Sequence, residues 1–162
     1  GLLYDHYLPP IYRFIYLKVT NKSEAEDLAH EVFLSAWKNI DDYDHQGFPF
    51  SSWLYQIARH KVIDHYRTKK TNLALESVNE DNLKVNSAIE KEFDQNLDLK
   101  IVKNAIRKLG EDQQNVLIMR FVEDLSYEEI AHALDKSEGA VRLIQHRAIQ
   151  SLKKIITDEQ FI

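Results

Sequence analysis

Between Gly47 and Lys70, the stretch GFPFSSWLYQIARHKVIDHYRTKK sets Phe48, Phe50, Trp53, Tyr55 and Tyr66 among Arg59, Lys61, Arg67, Lys69 and Lys70. Flat rings are platforms for unpaired bases, each stack worth about 1–3 kcal/mol, and cations beside them follow a phosphate backbone. A ring-lined loop can also hold an extruded base, offsetting an unpairing cost of a few kcal/mol. The plainer reading of Phe48, Phe50 and Trp53 is core packing, and of Asp64 with Arg67, three apart, a pair on a helix surface. A second stretch, LSYEEIAHALDKSEGAVRLIQHRAIQSLKK, places Val141, Ile144, Ala148 and Leu152 on one helical seam and leaves Arg142, Gln145, His146 and Arg147 outside it. In a major groove about 12 Å wide, Arg142, Gln145 and His146 suit base edges, while Arg147, Lys153 and Lys154 suit phosphates.

Other chemistries find little support. The chain has no cysteine, which removes disulfides, thiolate metal sites and thiol nucleophiles. Its seven histidines are scattered, with His60 and His65 on different helix faces, and no H-E-x-x-H spacing occurs, so no metal site is expected. There is no glycine-rich phosphate loop and no G-x-S-x-G, and Glu128-Glu129 suits a helix start without any catalysis. No enzyme and no cofactor are expected. Net charge is -5, yet residues 59–70 hold five Lys/Arg against one acid, and residues 136–154 hold the same. Such runs are often only solvated faces. Two of them, each closing a helical unit, point instead to local phosphate attraction, because fields decay within about 10 Å at physiological salt.

The elements that must position these groups are helical. Four glycines and three prolines in 162 residues leave little turn punctuation, and 44% hydrophobic content suits a folded chain. A helix is expected over Tyr7 to Val19, entered through Pro9-Pro10, with Ile11, Phe14, Ile15 and Leu17 inward. Ser23 to Ile40 repeats Ala25, Leu28, Ala29, Val32, Phe33, Ala36, Trp37 and Ile40 at spacings of three and four, with Ser23 and Glu26 as a capping box. Its other face carries Asp27, His30, Glu31, Leu34 and Lys38. Ser51 to about Arg67 reads as a third helix, capped by Ser51 or Ser52. Thr71 to Asn96 loses periodicity and reads as a linker. Beyond it, Leu97–Leu109 and Gln113–Val122 present Val102, Ala105, Ile106, Leu109, Val116, Leu117, Met119 and Phe121. Then Ser126 and Glu129 form a capping box, DKSEG makes a tight turn, and Ser137 caps a basic helix. That is helix-turn-helix grammar, the alternative being a helical hairpin with a basic surface. The expected organisation is all-α, with small domains at 1–70 and 97–162 joined by linker 71–96. No apolar run reaches the roughly 20 residues of a membrane helix, no secretory leader is read at the start, and a reducing, cytoplasmic setting is expected.

Read together, the two halves resemble the bacterial sigma factors of RNA polymerase, in particular the two-domain extracytoplasmic-function group. SEAEDLAHEVFLSAWKNI looks like the part of region two that docks on the polymerase clamp. FPFSSWLYQIARHKVIDHYRTKK is similar to the segment that reads and melts the minus-ten element. LSYEEIAHALDKSEGAVRLIQHRAIQSLKK looks like the region-four helix-turn-helix that reads the minus-thirty-five element. The resemblance implies polymerase contacts at Asp27, His30, Glu31 and Leu34. It implies minus-ten contacts at Asp44, Gly47, Phe48, Phe50, Trp53, Arg59, His60, Arg67, Lys69 and Lys70, the loop from Tyr43 to Phe50 holding a flipped base. Minus-thirty-five contacts would fall on Ser137, Glu138, Arg142, Gln145, His146, Arg147 and Lys153. Core polymerase, promoter DNA and an anti-sigma factor are the implied partners. Departures from the family's pattern are His30 for Gln, His60 for Asn, Gly110 for Pro, and apolar Leu143 and Ile144 where a small or polar residue and a basic one are common. A stand-alone helix-turn-helix regulator is the other function class these residues permit.

Overall fold

Left-handed Thr20 (φ 58°) breaks the first two helices apart, and its amide closes back on the Tyr16 carbonyl at 2.8 Å. The computed structural model describes residues 2–43, 49–75 and 97–160. Among these, seven α-helices and no strands occur: α1 (Leu2–Val19), α2 (Lys22–Lys38), α3 (Phe50–Leu75), α4 (Leu97–Arg107), α5 (Glu111–Leu117), α6 (Tyr127–Leu134) and α7 (Glu138–Gln160). Packing groups the chain into two compact units, Gly1–Val85 and Asn86–Ile162.

In the first unit α1, α2 and α3 pack on one another. Phe14, Ile15 and Tyr16 of α1 meet Val32 of α2 and Leu54, Ala58 and Val62 of α3 in the core, all essentially solvent-free, and Phe14 sets its ring edge-on to Tyr55 at 5.5 Å. Burial of each such side chain stabilises by about 1.5–3 kcal/mol, so this seam fixes which faces of α2 and α3 remain outside. Three local expectations need correction. Helix α1 does not start at Pro9-Pro10 but runs through them from Leu2. Prolines inside a helix forfeit backbone bonds at about 3 kcal/mol. Ring contacts on both preceding turns, Tyr4 on Phe33 at 5.0 Å and Tyr7 on Phe50 at 5.4 Å, hold the segment helical nonetheless. Helix α2 is capped by Asn21, whose Oδ1 accepts the Glu24 amide at 2.9 Å, two residues ahead of the expected Ser23. Helix α3 starts at Phe50, with Ser52 fully buried instead of capping, and continues to Leu75 because nothing between Arg67 and Leu75 breaks it. The remainder of the expected linker, 76–96, lies outside the described residues.

In the second unit α7 packs against α4, α5 and α6. Leu109, Leu117 and Ala148 form a buried cluster backed by Ile149, Leu152 and Ile155. Helix α5 passes into a π turn, Ile118–Val122, in which the Glu123 amide reaches the Ile118 carbonyl at 3.0 Å. The extra residue in that turn carries Phe121 off the inward face. It is 60% exposed, against the expectation that it packs inside. The capping box at α6 forms as expected, Glu129 N donating to Ser126 Oγ at 3.1 Å and Ser126 N to Glu129 Oε1 at 3.3 Å. The turn into α7 uses Asp135 in the left-handed region (φ 56°), and Ser137 Oγ accepts the Ala140 amide at 3.1 Å.

Candidate nucleic-acid interface

The seam Ala25-Leu28-Ala29-Val32-Phe33-Ala36 faces inward, so Asp27, His30, Glu31 and Leu34 form one exposed row at i, i+3, i+4 and i+7. Leu34 is 54% exposed. Trp37, which shares the inner periodicity, is nevertheless 55% exposed among the described residues, with α2 ending one residue later. It borders a shallow apolar recess with Phe33, Ile40 and Phe50. An acidic row ending in exposed apolar groups suits docking on a protein surface and repels phosphate.

At the start of α3 four rings gather. Tyr43 lies 5.3 Å from Phe50 and 5.0 Å from Trp53, Phe50 lies 5.5 Å from Trp53, and Tyr7 approaches Phe50 from α1. Phe50 and Trp53 are half-buried, so each ring is both packed and partly available. Sequence reading placed Tyr43 only as the start of the base-holding loop and missed Tyr7 altogether as a member of this cluster. Tyr43 was legible as a ring seven residues before Phe50, but Tyr7 has no local signal. Asp44, Gly47 and Phe48 lie outside the described residues.

Along α3, Trp53, His60 and Arg67 recur every seven residues and share one side of the helix. Arg59 is half-buried, its Nη2 3.3 Å from His60 Nε2 and its Nε buried without a hydrogen-bond partner. Lys70 is exposed. Lys69 departs from the expected surface. It points about 160° away from Trp53, toward α2, where its Nζ meets Glu24 Oε1 at 3.3 Å. His65 Nε2 meets the other Glu24 oxygen at 3.3 Å, and the Tyr66 hydroxyl donates to the Lys18 carbonyl. The cations of α3 therefore divide between a solvent face and a clasp on α2.

On α7, Val141 and Ala148 are fully buried, which turns Gly139, Arg142, Leu143, His146, Arg147, Gln150, Lys153 and Lys154 outward as one stripe. Arg142 is held from two sides. Its guanidinium lies 4.7 Å from the Tyr127 ring centre and 3.9 Å from Glu138, one turn back. Arg120 lies 4.4 Å from the same ring, and its Nη1 donates to the Leu125 carbonyl at 2.8 Å. Gln145 does not join the stripe: it is half-buried, with Oε1 buried and unpartnered, because it lies four residues after buried Val141 and three before buried Ala148, on the inner side. Ser137 and Glu138 sit exposed at the helix start, the first capping it and the second pairing with Arg142. Tyr127 and Arg120 were not singled out in the sequence, since each lies in a different element from Arg142, which shares the Tyr127 ring with Arg120.

Family comparisons agree with this division. The Sigma-70 region 2 model matches residues 3–71, and the Sigma-70, region 4 model matches residues 105–154. The ECF RNA polymerase sigma factor SigW of Bacillus subtilis is 32% identical over 95% of this chain and 87% of its own length. The chain belongs to the ECF family of RNA polymerase sigma factors. The ECF sigma factor BldN of Streptomyces coelicolor is 35% identical over 98% of this sigma factor, which spans 61% of that relative's length. In fold, the sigma factor resembles RpoE of Bartonella quintana, solved in complex with the anti-sigma factor NepR, with a TM-score of 0.77 at 22% identity over 96% of this chain and 95% of that one. Family membership makes the chain a non-enzymatic, DNA-binding protein of transcription initiation. Among the described residues, no helix is long and apolar enough to cross a membrane.

Proposed function

We propose that this sigma factor directs promoter-specific initiation by dividing the work among its three surfaces. The row Asp27-His30-Glu31-Leu34 docks on core polymerase. The Tyr43-Phe50-Trp53 cluster stacks unpaired bases of the minus-ten element, with His60, Arg67 and Lys70 following the strand and Asp44, Gly47 and Phe48 as further contacts. The outward stripe of α7 enters the major groove at the minus-thirty-five element, Arg142 and His146 at base edges, Arg147 and Lys153 at phosphates, with Ser137 and Glu138 at the groove entrance. Gln145 contributes only if its amide rotates outward. The domains that carry these roles are residues 1–70 and 97–162, with 71–96 as a linker whose first residues, to Leu75, continue α3. An anti-sigma factor would find its footing on exposed Leu34 and Trp37. The setting is the cytoplasm, where core polymerase works.

The observation that carries the reading is the α7 stripe, a continuous outward row with basic groups at Arg142, Arg147, Lys153 and Lys154 on a protein of net charge -5. Run-off transcription with core polymerase on a promoter library tests it. New start sites that share two spaced elements are expected. Tight binding of a palindromic site by the chain alone, with no transcription, would replace it with a stand-alone regulator.

A further inference from the structure

The centre of the α7 stripe holds one residue whose chemistry does not match its neighbours. Leu143 is 47% exposed between Arg142, His146 and Arg147 on the same outward side. It is not needed inside, since Val141 and Ala148 close the seam beneath the helix at full burial. A lone exposed leucine is ordinary on a protein surface. This one stands between two arginines, Arg142 and Arg147, that bring it against polyanionic DNA, where the one apolar group on a major-groove edge is the C5 methyl of thymine.

We infer that Leu143 is a specificity residue that reads a thymine methyl in the upstream promoter element. The inference rests on the reading that α7 lies in the major groove, and it adds the base and the atom. Arg142, held from the side by Glu138 and the Tyr127 ring, flanks Leu143, whose isobutyl group is itself 47% exposed on the stripe. The contact buries one methyl against another and excludes water from both. It adds no charge, so it separates thymine from the other bases without raising affinity for DNA at large.

The test uses holoenzyme assembled from the full chain and core polymerase, on the upstream element it selects from a random library. Each thymine on either strand is replaced singly by deoxyuridine, which lacks only the methyl. At one position the wild-type chain is expected to lose about threefold to fivefold in binding, the worth of one buried methyl. Leu143→Ala, which suits an exposed helical site, is expected to bind both forms equally, and Leu143→Met to keep the discrimination. Arg142→Ala is expected to weaken both forms alike. A wild-type chain indifferent to every deoxyuridine, or a Leu143→Ala variant that still discriminates, would overturn the inference while leaving the groove reading intact. Holoenzyme that selects no upstream element would remove the groove reading, and the inference with it.

Discussion

Trp53 and Tyr127 are each bound into a cluster, and each has a separable consequence. Trp53 is half-buried among Tyr43 and Phe50, so its removal costs some packing as well as a stacking face. Trp53→Ala is expected to reduce promoter opening by about tenfold or more, following the roughly 1–3 kcal/mol of one base stack. Permanganate reactivity of the unpaired thymines, compared with closed-complex binding, separates that loss from weaker docking. Tyr127 touches both Arg120 and Arg142, and so sets where the proposed base-reading guanidinium rests. Tyr127→Leu removes two cation–ring contacts of about 0.5–1 kcal/mol each at an exposed site. Competition binding to the upstream element is expected to show a severalfold loss, with Tyr127→Phe close to the parent. Equal losses in Leu and Phe would mean that the hydroxyl, not the ring, matters.

At the scale of elements, α3 serves two masters. One side carries Trp53, His60 and Arg67; the other is fastened to α2 by Glu24, which takes both His65 and Lys69. Glu24→Gln is expected to cost under about 1 kcal/mol in urea unfolding, as partly exposed pairs do. It also frees Lys69 for DNA. The slope of log affinity for single-stranded DNA against log salt should then steepen by about 0.7, the value of one added phosphate contact. An unchanged slope would mean Lys69 stays turned away. The periodic runs made this architecture readable: Ala25 to Ala36 and Val141 to Ala148 announce helix and inward face together. Caps and ends were less readable. Asn21 outcompetes Ser23 because left-handed Thr20 fixes the chain's entry two residues earlier, and the prolines of α1 are overruled by rings from α2 and α3. Lys69 was misplaced for the same kind of reason, since its partner lies 45 residues away.

For the molecule as a whole, charge opposes the proposed work. A protein of net charge -5 that also pairs Glu24 with Lys69 and Glu138 with Arg142 has little long-range pull on DNA. In gel-shift titrations the chain alone is expected to bind its promoter no better than the roughly 10⁻⁴–10⁻⁶ M of nonspecific contacts. Specificity should emerge only on core polymerase, and nanomolar binding without it would contradict this division of labour. The π turn at Ile118–Val122 has a different kind of consequence. It is a phase adjuster: one residue there sets about 100° of rotation and 1.5 Å of rise for the point at which the chain leaves this helix. Phe121→Ser, which keeps the count, is expected to leave stability within about 0.5 kcal/mol. Deleting Phe121 is expected to preserve helix content by circular dichroism yet abolish selection of the upstream element. In this part of the chain, then, length matters more than identity, and a missing residue acts as a wrong angle.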